Sequence, residues 1–376
     1  MLPFYSLEMR KRVKATLLIL ATLMACLAAA VVVLFLWFSR PATTQLVDAA
    51  GQKLTAGPAS DSSDEEEGEA SFAEVEALIA EREFDAAKEK LLEIVVASDR
   101  DGAACILLSD VTRELEDVDA AVDYGLKAVT LLPDSSAAHL AYAKALGAQI
   151  FNEMQGLSGM LSAMAKLGTF KEHINRAIAL DPDDIEARSM LVFTNMAPAP
   201  FGNIEQAIEI CREIEQRDPV VGRQLLAMCY RKKEDLPRAI SILRSGIEEY
   251  PEEPGFHEAL ADIYAEQQRF DEADTEYTAA LRGDKNESYY RALYGQARMR
   301  IQNEYEPRRA VELLDVFIAD APDFDGVPTV AHAWWRKGNA LEQLGRGEDA
   351  RAAYEESLRQ DPDLELAREA LAAMDG

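Results

Sequence analysis

The side chains best suited to metal or thiol chemistry are four histidines, His139, His173, His257 and His332, and four cysteines, Cys26, Cys105, Cys211 and Cys229. Zinc chemistry on a helix calls for a His-Glu-x-x-His pair, which sets two imidazoles one turn apart, and the chain has none. It has no Cys-x-x-Cys either, which removes the usual zinc and thioredoxin-like sites. Nor is there a phosphate-cradling glycine loop or a Gly-x-Ser-x-Gly elbow to expose a nucleophilic serine. The expectation is a protein that is not an enzyme, with no catalytic residue, metal or cofactor and no small-molecule substrate. The histidines read as surface or packing residues of helices. The cysteines are too few and scattered for a disulfide framework, and a bridge between Cys211 and Cys229 is left open. Asn286-Glu287-Ser288 is a glycosylation sequon, which has meaning only in a eukaryotic lumen.

Function must then lie on a surface, and the chain shows how that surface is built. A small residue recurs at Ala87, Ala121, Ala207, Ala239, Ala273, Ala310 and Ala350, with separations of 34, 86, 32, 34, 37 and 40 residues. The gap of 86 holds one longer unit that ends Ala177-Ile178-Ala179-Leu180-Asp181-Pro182. A large apolar residue often follows four positions on, as at Leu91, Leu243, Tyr277, Leu314 and Tyr354, on the same helix face. A proline then stops the helix: Pro133, Pro182, Pro219, Pro251, Pro322 and Pro362. Each unit is a helical hairpin that cannot bury its apolar face alone and must stack on its neighbours. Leu364, Ala367, Leu371 and Met374 form one stripe near the end, which reads as a capping helix.

This pattern resembles the tetratricopeptide repeat family over roughly residues 68 to 374. The last unit carries Trp334, Gly338, Leu341, Gly345, Ala350, Tyr354, Leu358 and Pro362 in the family's places. The unit from Pro254 to Glu287 follows through Leu260, Ala261, Tyr264, Phe270, Ala273, Tyr277, Ala280 and Leu281. The resemblance implies an all-α fold, an α-solenoid of about eight hairpins with a C-terminal capping helix. It also implies that the first helix of each hairpin lines a groove for protein or peptide segments. In the last unit the groove-facing positions would be His332, Trp335, Arg336, Asn339 and Gln343. Trp334 takes the packing position, so Trp335 should point elsewhere and serve as an interface anchor; the alternative is packing on Tyr289, Tyr290 or Tyr294. Tyr290 joins the candidate partner-binding residues. Arg336 and Asn339 are a fragment of the carboxylate clamp some family members use, but Glu258, Asp262 and Glu266 upstream argue against a full clamp. The third hairpin adds a methionine-rich stripe, Ile150, Phe151, Met154, Leu157, Met160, Leu161 and Met164. Phe151 and Met154 are its candidate contacts, with internal packing as the competing role.

Residues 15–38 carry no charge over 24 positions, enough to cross a bilayer as a helix. Arg10, Lys11, Arg12 and Lys14 precede this span and only Arg40 follows closely. The positive-inside bias places residues 1–14 in the cytoplasm and the repeats outside, at the inner membrane facing the periplasm if the source is prokaryotic. An uncleaved anchor is favoured over a signal peptide, because Ala28-Ala29-Ala30 sits inside the span. Residues 39–71, with Asp64-Glu65-Glu66-Glu67, read as a flexible acidic linker to a repeat domain over 72–376.

The chain carries a net −28. Residues 1–40 hold five basic residues and one acidic, so the rest carries 34 basic against 66 acidic, a net −32. That field disfavours nucleic acid and anionic lipid and suits a basic or proline-rich partner segment. The expected function is a membrane-anchored scaffold for protein assembly on the non-cytoplasmic side. The alternatives are a chaperone like the membrane-anchored factors of cytochrome c maturation, or a purely structural tether.

Overall fold

The computed structural model describes residues 72–97, 101–153, 156–197, 202–320, 324 and 326–375. The expected basic N-terminus, membrane span and linker lie outside the described residues. Among the described residues no helix is long and apolar enough to cross a membrane. Every regular element described is helical. The repeat region divides into two compact units, one ending at Arg217 and the other beginning at Asp218.

The first unit holds eight helices paired as four hairpins: α1 (72–80) with α2 (Phe84–Ala97), α3 (Gly102–Glu114) with α4 (Val118–Leu131), α5 (Ser136–Glu153) with α6 (Gly156–Leu180), and α7 (Ile185–Asn195) with α8 (Ile204–Glu215). The second unit holds α9 (Pro219–Lys232) with α10 (Leu236–Glu249), α11 (Pro254–Glu266) with α12 (Phe270–Ala280), α13 (Glu287–Gln302) with α14 (Pro307–Asp320), and α15 (Val330–Gln343) with α16 (Gly347–Gln360). A single helix, α17 (Glu365–Asp375), follows.

The recurring alanines are the hubs of the packing. Ala87, Ala121, Ala207, Ala239, Ala273, Ala310 and Ala350 are all fully buried, as are Leu91, Leu243, Tyr277, Leu314 and Tyr354 four positions on. The small residue admits the neighbouring helix and the large one fills the space behind it. At Gly338 this fit reaches its limit: a Cβ there would lie 2.3 Å from Cε1 of Tyr354. Helix α17 lays Leu364 and Ala367 against Ala331, with Leu358 and Trp335 packed on them, and Leu371 and Met374 reach the core around Tyr354.

Much of the acidity is local punctuation. Asp101, Asp117, Asp184, Asp218 and Asp235 each cap a helix by accepting a backbone N–H at its first turn, which also places negative charge at the positive end of the helix dipole. The Asp-Pro-Asp tripeptides form turns in which Asp181 and Asp361 accept the N–H of Asp183 and Asp363 at 3.0 Å. Pro219 departs from its expected role: it occupies the first turn of α9 and opens that helix, because a missing N–H costs nothing there. Pro322 lies outside the described residues. Within hairpins the chain reverses through left-handed residues, Arg82, Glu116, Glu234, Gln268, Glu304 and Gly345, with φ between 51° and 69°.

Candidate interaction surface

In the second unit the first helices pack on one another, α9 on α11, α11 on α13 and α13 on α15. Their solvent-facing side chains therefore form one surface. On α15 the five expected positions separate by role, with Gln343 donating through Nε2 to the Ile301 carbonyl of α13 at 2.7 Å. His332 is half-buried, with Nδ1 2.8 Å from the Thr329 hydroxyl of its own helix cap, and burial lowers its pKa. Trp335 is half-buried under α17 against Leu364 and Ala367. Arg336 lies over the Trp335 ring with its guanidinium carbon 4.3 Å from the centroid. Asn339 Oδ1 and Glu342 Oε2 both lie 2.9 Å from the Tyr354 hydroxyl and share its one hydrogen, and the Asn339 amide adds two N–H donors. Trp334 packs in the core around Leu341 and Tyr354 and carries Lys337 over its ring.

Tyr290 is buried. Its ring packs on Phe317 and Phe324, and its hydroxyl donates to Asp320 at 3.3 Å, so the ring is engaged in the core. Phe151 is half-buried near the end of α5. Met154 lies outside the described residues, as do the side chains of Leu157 and Met160. Of the rest of that stripe, Ile150 is core, whereas Leu161 and Met164 are exposed.

Besides Arg336, which the sequence singles out, these helices carry further guanidinium groups, among them those of Arg231, Arg291 and Arg298. Arg231 on α9 pairs with Glu266 and Asp262 of α11. Asp262 also accepts from the Tyr277 hydroxyl at 2.5 Å and meets Arg298 of α13 at 3.3 Å. Arg291 of α13 meets Glu258 at 3.3 Å and also pairs with Glu287. Burial pushes the Glu258 carboxyl up to about 7 against the pull of Arg291, with Asp262 adding to the rise. Buried Tyr294 on α13 shares a hydrogen bond with Arg336, and Arg298 is a second positive neighbour; burial still raises its hydroxyl pKa. Among the described residues Arg336 has no carboxylate within ion-pair distance, and its Nε is buried without a hydrogen-bond partner. Arg298, Arg336 and the Asn339 amide thus gather hydrogen-bond donors on one face of an acidic protein. A repeat-by-repeat comparison of charged positions on first helices would have exposed Arg231 and Arg298 in the sequence alongside Arg336.

In the first unit, Cys105 and Cys211 are buried thiols, as is Cys229 in the second. His139 and His173, 34 residues apart in the sequence, are brought together with their Nδ1 atoms 2.8 Å apart.

The fold defines a helical-hairpin repeat protein. Models of the tetratricopeptide repeat match residues 230–297 and 306–365, about a third of the chain, so these two segments are tetratricopeptide repeats. No curated protein matches the chain. Among solved structures, it is similar to a tetratricopeptide repeat protein from Parabacteroides merdae ATCC 43184, at 10% identity, covering 82% of this chain and 98% of that one, with a TM-score of 0.46. It is also similar to human IFIT1, solved as a dimer with m7Gppp-AAAA, at 14% identity, covering 74% of this chain and 68% of that one, with a TM-score of 0.44.

Proposed function

We propose that this protein is a membrane-anchored scaffold that holds an extended segment of a protein partner on the first-helix face of its second unit. The observation that carries this reading is the donor group of Arg298, Arg336 and Asn339 on helices that lie within or beside the matched repeats. An acidic side chain or a C-terminal carboxylate of the partner would seat there, since planar guanidinium groups suit a carboxylate. Basic residues of the same segment would meet the carboxylates of Glu266 and the negative field of the chain, which favours capture of a mixed-charge segment. The uncharged stretch 15–38 behind four basic residues supports an anchor with the repeats on the non-cytoplasmic side. Residues 39–71 would then tether the repeats and raise the local concentration of a captured partner near the membrane.

The test is proximity labelling from the C-terminus of the full-length chain in its native cell, compared with an Arg298→Gln/Arg336→Glu variant. Loss of a defined set of external-side proteins supports the reading. An unchanged set removes this face as the binding surface, and labelling of cytosolic proteins overturns the orientation.

A further inference from the structure

The imidazoles of His139 on α5 and His173 on α6 join the two helices of the third hairpin. Their rings stack with centroids 5.0 Å apart, and the Tyr142 ring meets His173 edge-on at 4.7 Å. Their protonation pattern follows from one neighbour. His139 Nε2 lies 3.0 Å from the Pro133 carbonyl oxygen, which can only accept, so Nε2 carries the hydrogen. In the neutral ring Nδ1 is then a bare acceptor, and the hydrogen between the two Nδ1 atoms at 2.8 Å belongs to His173. One proton can be added at His173 Nε2 without disturbing this contact. A second, at His139 Nδ1, sets two N–H groups of two cations against each other.

We propose that His139 and His173 form a proton-released clasp that holds α5 to α6 at neutral pH and loosens this hairpin in acid. His139 is buried. The surroundings supply little to stabilise a doubly charged pair. From α6 the charged neighbours are Glu172, which is exposed, and Arg176, which is already paired with Asp134 of the preceding turn at 2.8 Å. From α5 the neighbour is Tyr142, and α4 and α7 present Val122, Val129, Ala187 and Met190 to the same core. Burial and the nearby His139 both hold the pKa of His173 below its ordinary value. The sign is that of a group kept neutral by the fold: stabilisation is complete above the ordinary histidine value, the first proton, on His173, erodes it as pH falls through the lowered one, and the contact itself parts on the second proton. Two ties remain in acid, the Arg176–Asp134 pair and the Ser136 hydroxyl on the Ala177 carbonyl at 3.1 Å, so the hairpin loosens without unfolding the rest.

Amide hydrogen exchange on the full-length chain tests this, with protection factors corrected for intrinsic rates at about pH 7.5 and about pH 5. Protection in α5 and α6 should fall about tenfold or more on acidification, relative to α13 and α14 in the same molecules. His173→Asn places a non-titrating amide donor at the Nδ1 position, so that variant should keep its protection at both pH values. Imidazole nitrogen shifts of the unmodified protein supply an independent reading: His139 should appear as the Nε2–H tautomer at neutral pH. Equal protection at both pH values, or a His139 that carries its hydrogen on Nδ1 at neutral pH, overturns the proposal.

Discussion

First helices carry charge in both units, sealed in the first and partly open in the second. In the first unit Lys144 of α5 meets Glu186 of α7 at 2.6 Å and Arg113 of α3 meets Glu114 at 2.5 Å, with the two basic side chains only 5% and 7% exposed. In the second unit Arg300 of α13 is sealed as well, at 3% exposure between Asp274 and Glu306, but Arg231 and Arg298 make their pairs at 33% and 41% exposure. Sealed charges must keep their partners, because breaking such a pair strands a charge away from water. Open charges can exchange one partner for another at little cost. The first arrangement is therefore structural, and the second is the one a partner segment can use.

The sharpest way to break this contrast is Lys144→Met. Burial lowers the pKa of Lys144, but Glu186 and Asp110 outweigh it and raise the value, so the cation is held by its neighbours. Removing it should cost about 2–3 kcal/mol, below the usual loss for a buried pair because Glu186 is partly exposed and regains water. Urea unfolding followed with exchange in α3, α5 and α7 measures it. A loss under about 0.5 kcal/mol would place this pair with the surface ones.

The open face must still rest on a tight core, and Gly338→Ala tests that support. The added methyl group collides with the buried Tyr354 ring, whose one hydroxyl hydrogen is shared by Asn339 and Glu342. A destabilisation of about 1–3 kcal/mol is expected, with partner binding weakened through displacement of Asn339. Thermal unfolding of the full-length chain checks the first part, and unchanged stability would mean the ring moves freely.

Glu258 is the exception within the open face, with its side chain only 15% exposed. Its carboxyl rises from the ordinary 4.5 to about 7 in the folded protein. A raised carboxyl stabilises the fold below its ordinary value and loses that contribution as pH climbs through the raised one. Glu258→Gln should therefore match the unmodified protein near about pH 4 and exceed it near about pH 8 by on the order of 1–2 kcal/mol. Parallel melting-temperature profiles across that window would show instead that Glu258 ionises normally and belongs with its open neighbours.

The division between sealed and open charge was not legible in the sequence, although the scaffold was. Seven alanines, spaced 32 to 40 residues apart except across one gap of 86, marked the buried hubs, and all seven are fully buried, because close helix packing tolerates little else there. The turns were hidden: Arg82, Glu116, Glu234, Gln268 and Glu304 adopt left-handed backbone without the glycine that usually announces it. Trp335 read as an exposed anchor from its place beside Trp334, but α17 folds over it, and a stripe of apolar residues does not say which neighbour it will cover. His139 and His173 meet because the first turn of α5 lies beside the last turns of α6 in the hairpin, and the 18 and 25 residues of these helices set them 34 positions apart in the sequence. A repeat period read from shorter hairpins cannot predict that register.

Arg298→Gln carries the smallest expected stability effect and the most functional weight. Its pair with Asp262 is long at 3.3 Å and half open, and Asp262 keeps the Tyr277 hydroxyl and Arg231 as alternative partners. Stability should change by less than about 1 kcal/mol. A partner whose carboxylate sits between Arg298 and Arg336 would lose a charge-assisted bond, and its affinity should fall on the order of tenfold. The comparison is sharpened by measuring Lys144→Met on the same partner: sealed charge should alter stability with little direct effect on binding, and open charge the reverse. If both substitutions changed stability and neither changed binding, the exposed guanidinium groups of the second unit would be structural as well, and the search for a partner would turn to the exposed Leu161 and Met164 of α6.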